Sequence, residues 1–369
     1  MLTFHSIWTR PIASQGVDEM SLWDFEWLTW LAGLLQAKTQ GPTVLVADPR
    51  GVDFVKKAGL YDLYDEVVLG LEDIPKQIDP QIFWAAGKLY AIPLLKRLNK
   101  HNPREHKICS LDWDCIPWTY PTHTDRAMCL NLEQLDWPWY KDCRPKYERF
   151  VPEPVSWKLQ PANNGAIIFE KYQDMLAYSS LSIAFMQRFS KAAEQGSYFS
   201  QPRHVYGDAM TFAEQQLLPT AVHNSGQRLV PMLQAGEDGF LLENRFMTHL
   251  WTTKTLYRAF PEARVHFTNQ LVRLLRDKFP NARPILKDKG LHTTQPILTA
   301  EENLKWNTEG VKHYSSYKIG VVTKLQGSGS LVDRNIPGVR QLRVGSVVLP
   351  GDSVIEHGNS STIRLEYAV

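Results

Sequence analysis

The sequence predicts an α/β protein: a Rossmann-type, mostly parallel sheet flanked by helices, followed by a small all-β module. Three observations predict it. Short apolar runs alternate with helical periodicity over the first 220 residues. The runs Thr43–Ala47 and Lys107–Leu111 are apolar along most of their length, as expected of strands covered on both faces. After Lys318 the helical periodicity gives way to β-rich runs broken by Gly and Pro.

Phe4–Trp8 reads as the first strand, ending at Thr9-Arg10-Pro11. Ser21 caps a helix to about Ala37, with Asp24 three residues on and Leu22, Phe25, Leu28, Leu31 and Leu35 at helical spacing. Thr43–Ala47 is the next strand, bounded by Gly41-Pro42 and Asp48-Pro49. A helix over Val52–Leu60, a strand at Glu66–Leu69 and a helix over Phe83–Leu98 follow. Lys107–Leu111 is then a strand running directly into Asp112-Trp113-Asp114. The Pro-, Trp- and Tyr-rich stretch Asp136–Gln160 reads as irregular. Asn164–Phe169 is a strand, and helices are expected over Asp174–Glu194 and Asp208–Leu218. Met247–Leu275 is mainly helical, with breaks at Pro261 and around Phe267. The expected domains are 1–280, a linker at 281–317 and the β-module at 318–369, with strands at Ile319–Leu325, Gln341–Val344, Ser346–Leu349, Ser353–Ile355 and Thr362–Tyr367.

Composition narrows the class. A net charge of +2 argues against a nucleic-acid coat. No run of about 18 apolar residues exists, so no transmembrane helix is expected. The opening Met1-Leu-Thr-Phe-His-Ser-Ile-Trp8 lacks a charged n-region and a long apolar stretch. The cytoplasm is therefore the expected compartment, with Cys109, Cys115, Cys129 and Cys143 reduced. None of these forms a Cys-x-x-Cys pair, which excludes a zinc ribbon. With 12 Trp, 14 Tyr and 15 Phe, most aromatic residues belong to a core, the rest offering flat ligand surfaces.

The chemistry centres on Asp112 and Asp114. Two carboxylates one residue apart can present hard oxygens to one divalent cation, which can bridge two phosphates of a nucleotide. In a parallel sheet, ligands bind outside the carboxyl ends of the strands, where this pair is expected.

The run Lys107-Ile-Cys-Ser-Leu-Asp112-Trp-Asp114-Cys-Ile resembles the Asp-x-Asp strand of GT-A-fold, nucleotide-sugar-dependent glycosyltransferases. Four further segments fall in that family's order. Phe83–Tyr90 resembles the preceding helix, whose Lys88 would face the donor. Pro161–Phe169 resembles the strand on which Asn164 and Gly165 lie beside donor sugar and acceptor. Gly207–Leu218 resembles the acidic-Gln helix start near the reacting carbon, with Asp208 and Glu214 in it. His249–Lys254 resembles the late segment supplying a third metal ligand, His249, and a phosphate contact, Lys254; it is shorter than the common form and lacks its Gly.

The resemblance covers about residues 1–260 and implies a UDP- or GDP-linked sugar as donor, and a glycan, lipid-linked or protein acceptor. It implies Mn2+ as cofactor, with Mg2+ as the alternative, held by Asp112, Asp114 and His249; an imidazole ligand favours Mn2+. Glu214 is the candidate general base for an inverting reaction, and Glu214 or Asp208 an orienting group in a retaining one. Arg10, ending the first strand, is placed to face the donor diphosphate, and Trp8 belongs to the core. The tail Arg340–Leu365 resembles the β-module of FecR-type proteins, from which a small β fold is expected and Gly351-Asp352 reads as a turn.

Two other readings compete. A nucleotidyltransferase also uses paired aspartates, but Thr9–Gly16 is a poor version of the Gly-rich phosphate loop it needs. A non-catalytic carbohydrate- or partner-binding protein would make the β tail its working part.

Overall fold

The structure is a computed structural model. It describes residues 1–17, 20–120, 126–137, 140–194, 207–233, 247–250, 253–291, 320–332, 339–348 and 353–367, with 299, 302, 304, 305 and 308 singly. The chain divides into two compact units: Met1–Ser21 with Gly33–Glu237, and Leu22–Ala32 with Asp238–Val369.

The first unit opens with β1 (Leu2–Ile7) and the short α1 (Arg10–Ala13). Of helix α2 (Asp24–Lys38), which follows, the residues from Gly33 on belong to this unit and those up to Ala32 to the second; then come β2 (Thr43–Ala47), α3 (Pro49–Lys57), β3 (Glu66–Leu69) and α4 (Ala86–Leu94). Next come β4 (Ile108–Leu111), β5 (Cys115–Pro117), β6 (Ala127–Leu132), α5 (Cys143–Tyr147), β7 (Ala162–Phe169) and α6 (Tyr172–Glu194). Helix α7 (Gly207–Thr211), a π-helical turn over Phe212–Gln216, α8 (Leu217–Asn224) and β8 (Leu229–Pro231) complete it.

Seven strands form one sheet in the order β3-β2-β1-β4-β7-β6-β8. Strands β3, β2, β1 and β4 are parallel, β7 is antiparallel to β4 and to β6, and β8 is parallel to β6. The fold is thus mixed α/β with a mostly parallel central sheet, as the alternating pattern predicts. The chain lays β2 and β3 on one side of β1 and returns to place β4 on the other. The point of reversal, at the carboxyl ends of β1 and β4, is the ligand position in sheets of this kind.

The aromatic residues go largely to the core. Phe83, Tyr147, Phe185, Phe189 and Phe212 interlock with ring centroids 4.9–6.3 Å apart, mostly edge to face. All four cysteines are free and buried. Burial pushes the thiols of Cys109 and Cys143 up to about 12, which keeps them protonated.

Several boundaries differ from the sequence reading, each for a local reason. Helix α2 starts after Trp23 rather than Ser21, because the Glu26 carboxylate accepts the Trp23 N–H at 3.1 Å. Helix α3 starts at Pro49 because Asp48 is its N-cap, accepting the Gly51 N–H at 2.7 Å. The helix expected over Phe83–Leu98 is shorter, running from Ala86 to Leu94 with Pro93 inside it. Gly87 permits its close approach to the end of β1, since a Cβ there would lie 2.5 Å from that of Trp8. Strands β5, β6 and β8 were not legible, and the stretch read as irregular contains α5.

Pro93 has no N–H to give the Leu89 carbonyl one turn back. The hydroxyl of Ser179, on α6, donates to that carbonyl at 2.8 Å, and the Tyr172 hydroxyl donates to the Ile92 carbonyl at 2.9 Å. Helix α6 thus completes the hydrogen bonding of α4, a tertiary repair of a sequence-encoded break.

The second unit holds β9 (Met247–His249), α9 (Thr253–Ala259), α10 (Pro261–Lys278) and α11 (Ala282–Asp288). Its strands β10 (Gly320–Val332), β11 (Val339–Gln341), β12 (Val347–Val348) and β13 (Ser353–Tyr367) form an antiparallel sheet around β10. Pro261 does break the helices, but Phe267 lies within α10, stacked on Tyr257 at 4.6 Å. The two strands expected at Ser353–Ile355 and Thr362–Tyr367 are one, β13, which pairs with β10 through two register shifts. Helix α11 occupies part of the expected linker, and the Gly351-Asp352 turn lies outside the described residues. Glu262, in the first turn of α10 and 5% exposed, accepts from Ser346 Oγ at 3.0 Å and the Val347 N–H at 3.1 Å. Among the described residues no helix is long and apolar enough to cross a membrane.

The Ser179 repair sets an expectation. Ser179→Ala strands a buried carbonyl and should lower unfolding free energy by about 1–3 kcal/mol. Adding Pro93→Ala restores the N–H and should recover much of that loss in urea titrations. Equal stability of wild type and Ser179→Ala would show that the hydroxyl is dispensable.

Candidate functional site

Strand β4 is buried along its whole length, and its pairing continues one residue beyond it, where the Asp112 N–H donates to the Gly165 carbonyl at 2.7 Å. The Cys115 N–H then closes a turn on the Asp112 carbonyl at 3.0 Å. Asp112 and Asp114 therefore share one turn at the carboxyl end of a central strand. Gly165 serves this turn through its backbone.

Two further elements converge on Asp112. Helix α4 brings Lys88, whose Nζ lies 2.7 Å from both oxygens of the Asp112 carboxylate. The π-helical turn brings Glu214, whose Oε1 is 2.7 Å from the same Nζ. Three carboxylate oxygens thus meet one ammonium, in a site where the Glu214 side chain is 2% exposed.

The π turn depends on α6. Pro219 offers no N–H to this region. The Tyr178 hydroxyl donates to the Glu214 carbonyl at 2.6 Å and the Ser182 hydroxyl to the Ala213 carbonyl at 2.7 Å. Asn164 donates to the Tyr178 hydroxyl at 3.3 Å, so its side chain braces the site from β7. Beside it, Asn163 accepts the Gly165 N–H at 3.0 Å and donates to Glu133 at 3.1 Å. The Tyr140 hydroxyl sits between Glu133 and the Gln215 side chain, extending this network to the π turn. Tyr178, Asn163, Glu133 and Tyr140 escaped the sequence reading. The trace available was in α6, where Tyr178, Ser179 and Ser182 put hydroxyls at helical spacing on a buried face.

The electrostatics follow from burial and charge count. Burial alone would lower the Lys88 ammonium, but the carboxylates of Asp112 and Glu214 outweigh it and hold Lys88 protonated. Asp112 is pushed up to about 7, first by burial and then by the charges of Asp114 and Glu214, against the opposing pull of Lys88. Asp114 and Glu214 add negative charge around Asp112, beside the Lys88 ammonium. The oxygen atoms of Asp112, Asp114 and Glu214 suit a hard cation of the Mg2+ or Mn2+ kind.

Asp208 and Arg10 are engaged by other partners. Asp208 is not joined to Lys88; its carboxylate takes the Lys146 ammonium at 2.6 Å and the Tyr147 hydroxyl, both from α5. The Arg10 guanidinium donates to the carbonyls of Glu72, Ile74 and Pro75 at 3.2, 2.7 and 3.1 Å and lies over Trp8. It therefore pins the segment after β3, where the sequence reading had it facing a diphosphate. His249, buried at the end of β9, and Lys254, in α9, belong to the second unit.

No family model and no curated protein matches the chain.

The raised Asp112 fixes a pH dependence. The folded chain holds this proton more tightly than the unfolded one, whose carboxyl titrates near 3.8. The associated stability is fully present below that value and is lost as pH rises through about 7. Without added metal, the melting temperature of wild type relative to Asp112→Asn should fall steadily from pH 4.5 to pH 8. Parallel curves would show that Asp112 ionises like an exposed carboxyl.

Proposed function

We propose that the protein is a metal-dependent glycosyltransferase of GT-A-like fold, moving a sugar from a nucleoside diphosphate to an acceptor hydroxyl. The observation that carries this reading is the meeting of Asp112, Lys88 and Glu214 at the carboxyl end of β4, beside the reversal in strand order. A crevice at that point is where an α/β sheet takes a nucleotide. Asp112 and Asp114 would hold a divalent cation, Mn2+ before Mg2+, which supplies positive charge to the diphosphate as it leaves.

The chain's own residues divide the rest of the work. Lys88 is a cation held between two carboxylates and would supply an ammonium donor to a phosphate oxygen. Glu214 would be the carboxylate that accepts a proton from an acceptor hydroxyl. Asn164 and Tyr178 fix the position of Glu214 through its own backbone carbonyl, a positioning role rather than a contact with substrate. The free, buried cysteines support a reducing compartment such as the cytoplasm.

UDP or GDP together with Mn2+ should raise the melting temperature, and Asp114→Ala should abolish the shift. The absence of a shift with either nucleotide would remove the basis of the proposal. Metal affinity should climb about tenfold per pH unit up to about 7, because Asp112 must lose its proton to ligate. In a donor-turnover assay, Glu214→Gln should cut the rate by about 100-fold or more while leaving donor affinity nearly unchanged. Normal turnover in that variant would eliminate Glu214 as the base.

A further inference from the structure

One buried acid takes no part in the Lys88 cluster. Glu133 follows β6 and is 5% exposed. Strands β4 and β6 both run antiparallel to β7, so their carboxyl ends share one end of the sheet, and Glu133 lies at the same end as Asp112. Its N–H donates to the Pro161 carbonyl at 2.8 Å, which fixes its backbone beside β7.

A count of protons defines its state. Asn163 Oδ1 accepts the Gly165 N–H, so Asn163 Nδ2 is the atom that donates to Glu133 Oε1 at 3.1 Å. The other carboxyl oxygen, Oε2, meets the Tyr140 hydroxyl, and the same hydroxyl meets Gln215 Oε1 in the π turn. Two contacts between oxygens need two protons, and a phenol carries one. A carboxylic acid at Glu133 supplies the other: it donates to Tyr140, which donates to Gln215. Both carboxyl oxygens are then satisfied.

The surroundings agree. Burial raises the Glu133 carboxyl, against the hydrogen bonds from Tyr140 and Asn163, and no cation acts on it. Burial also holds the thiols of Cys129, on β6, and Cys143, beside Tyr140, in the neutral form. Glu214, the charged group of the π turn, is negative and helps keep Tyr140 protonated.

We infer that Glu133 is a protonated acid at neutral pH and a positioning residue, whose proton fastens the π turn that carries Glu214. An ionised Glu133 would take the Tyr140 proton for itself and leave Gln215 Oε1 without a donor. The inference concerns a hydrogen-bond relay in the free protein and does not rest on the transferase reading.

Infrared difference spectra of the full chain against Glu133→Gln at pH 7 test it. The wild type should show the C=O stretch of a protonated carboxylic acid that the variant lacks; Asp112 is common to both and cancels. Glutamine is neutral and of the same shape, so its amide can donate to Tyr140 and accept from Asn163. Hydrogen exchange over Phe212–Gln216 should therefore be unchanged in Glu133→Gln, and about fivefold faster in Glu133→Ala, which removes the relay. A wild type without the acid band overturns the inference, and means that the Gln215 amide nitrogen donates to Tyr140 instead. So does faster exchange in Glu133→Gln than in wild type, since an ionised Glu133 accepts two hydrogen bonds and glutamine would turn its amide nitrogen against one of the donors. That comparison stands even if Glu133→Ala misfolds. An acid band together with no response to UDP or GDP with Mn2+ would uphold the relay while removing the transferase reading.

Discussion

A charge taken out of water must be met by an opposite one, and Lys88 meets two. Its ammonium joins α4, the end of β4 and the π-helical turn, three elements far apart in sequence. Removing it would leave Asp112 and Glu214 confronting each other with little water to screen them, the costliest kind of buried defect. Asp114 adds its carboxylate to the same neighbourhood and raises the Asp112 carboxyl further.

Helix α6 sets the precision of that meeting. Its hydroxyls supply donors to irregular helical segments: Ser179 to the Leu89 carbonyl in α4, which Pro93 leaves without a donor, and Tyr178 and Ser182 to the π turn. The two helical segments carrying Lys88 and Glu214 are thus both irregular and both anchored to one regular helix. Irregular helical geometry costs free energy and survives where the surrounding structure compensates it, commonly at functional positions. Here the compensation comes from hydroxyl groups that look unremarkable in the sequence.

In the second unit a single carboxylate has a comparable role. Glu262 accepts from Ser346 and Val347, so the first turn of α10 is hydrogen-bonded to the β-rich tail. A tail that looked like a free module in the sequence contributes donors to a buried acid of the preceding helix. The core of the tail's sheet is small, built on Val322, Leu331, Leu342 and Val348. A sheet with so few buried side chains benefits from being fastened to a helix.

The sequence by itself determined the alternation of buried strands and helices, the end of β4 at Asp112, and the switch to β structure after residue 318. These are local matters: apolar period, Pro and Gly punctuation, and a carboxylate pair abutting an apolar run. The short strands β5, β6 and β8 carry too few residues to show a period. The split of the site also needed the tertiary structure. Lys88 and Glu214 join Asp112, while Asp208 turns to α5 and Arg10 to the carbonyls after β3. All five are polar residues at plausible ends of elements, and nothing in their immediate neighbours distinguishes them. What separates them is which backbone and side-chain partners the fold brings within hydrogen-bonding distance, a property of contacts between distant segments that no local pattern encodes.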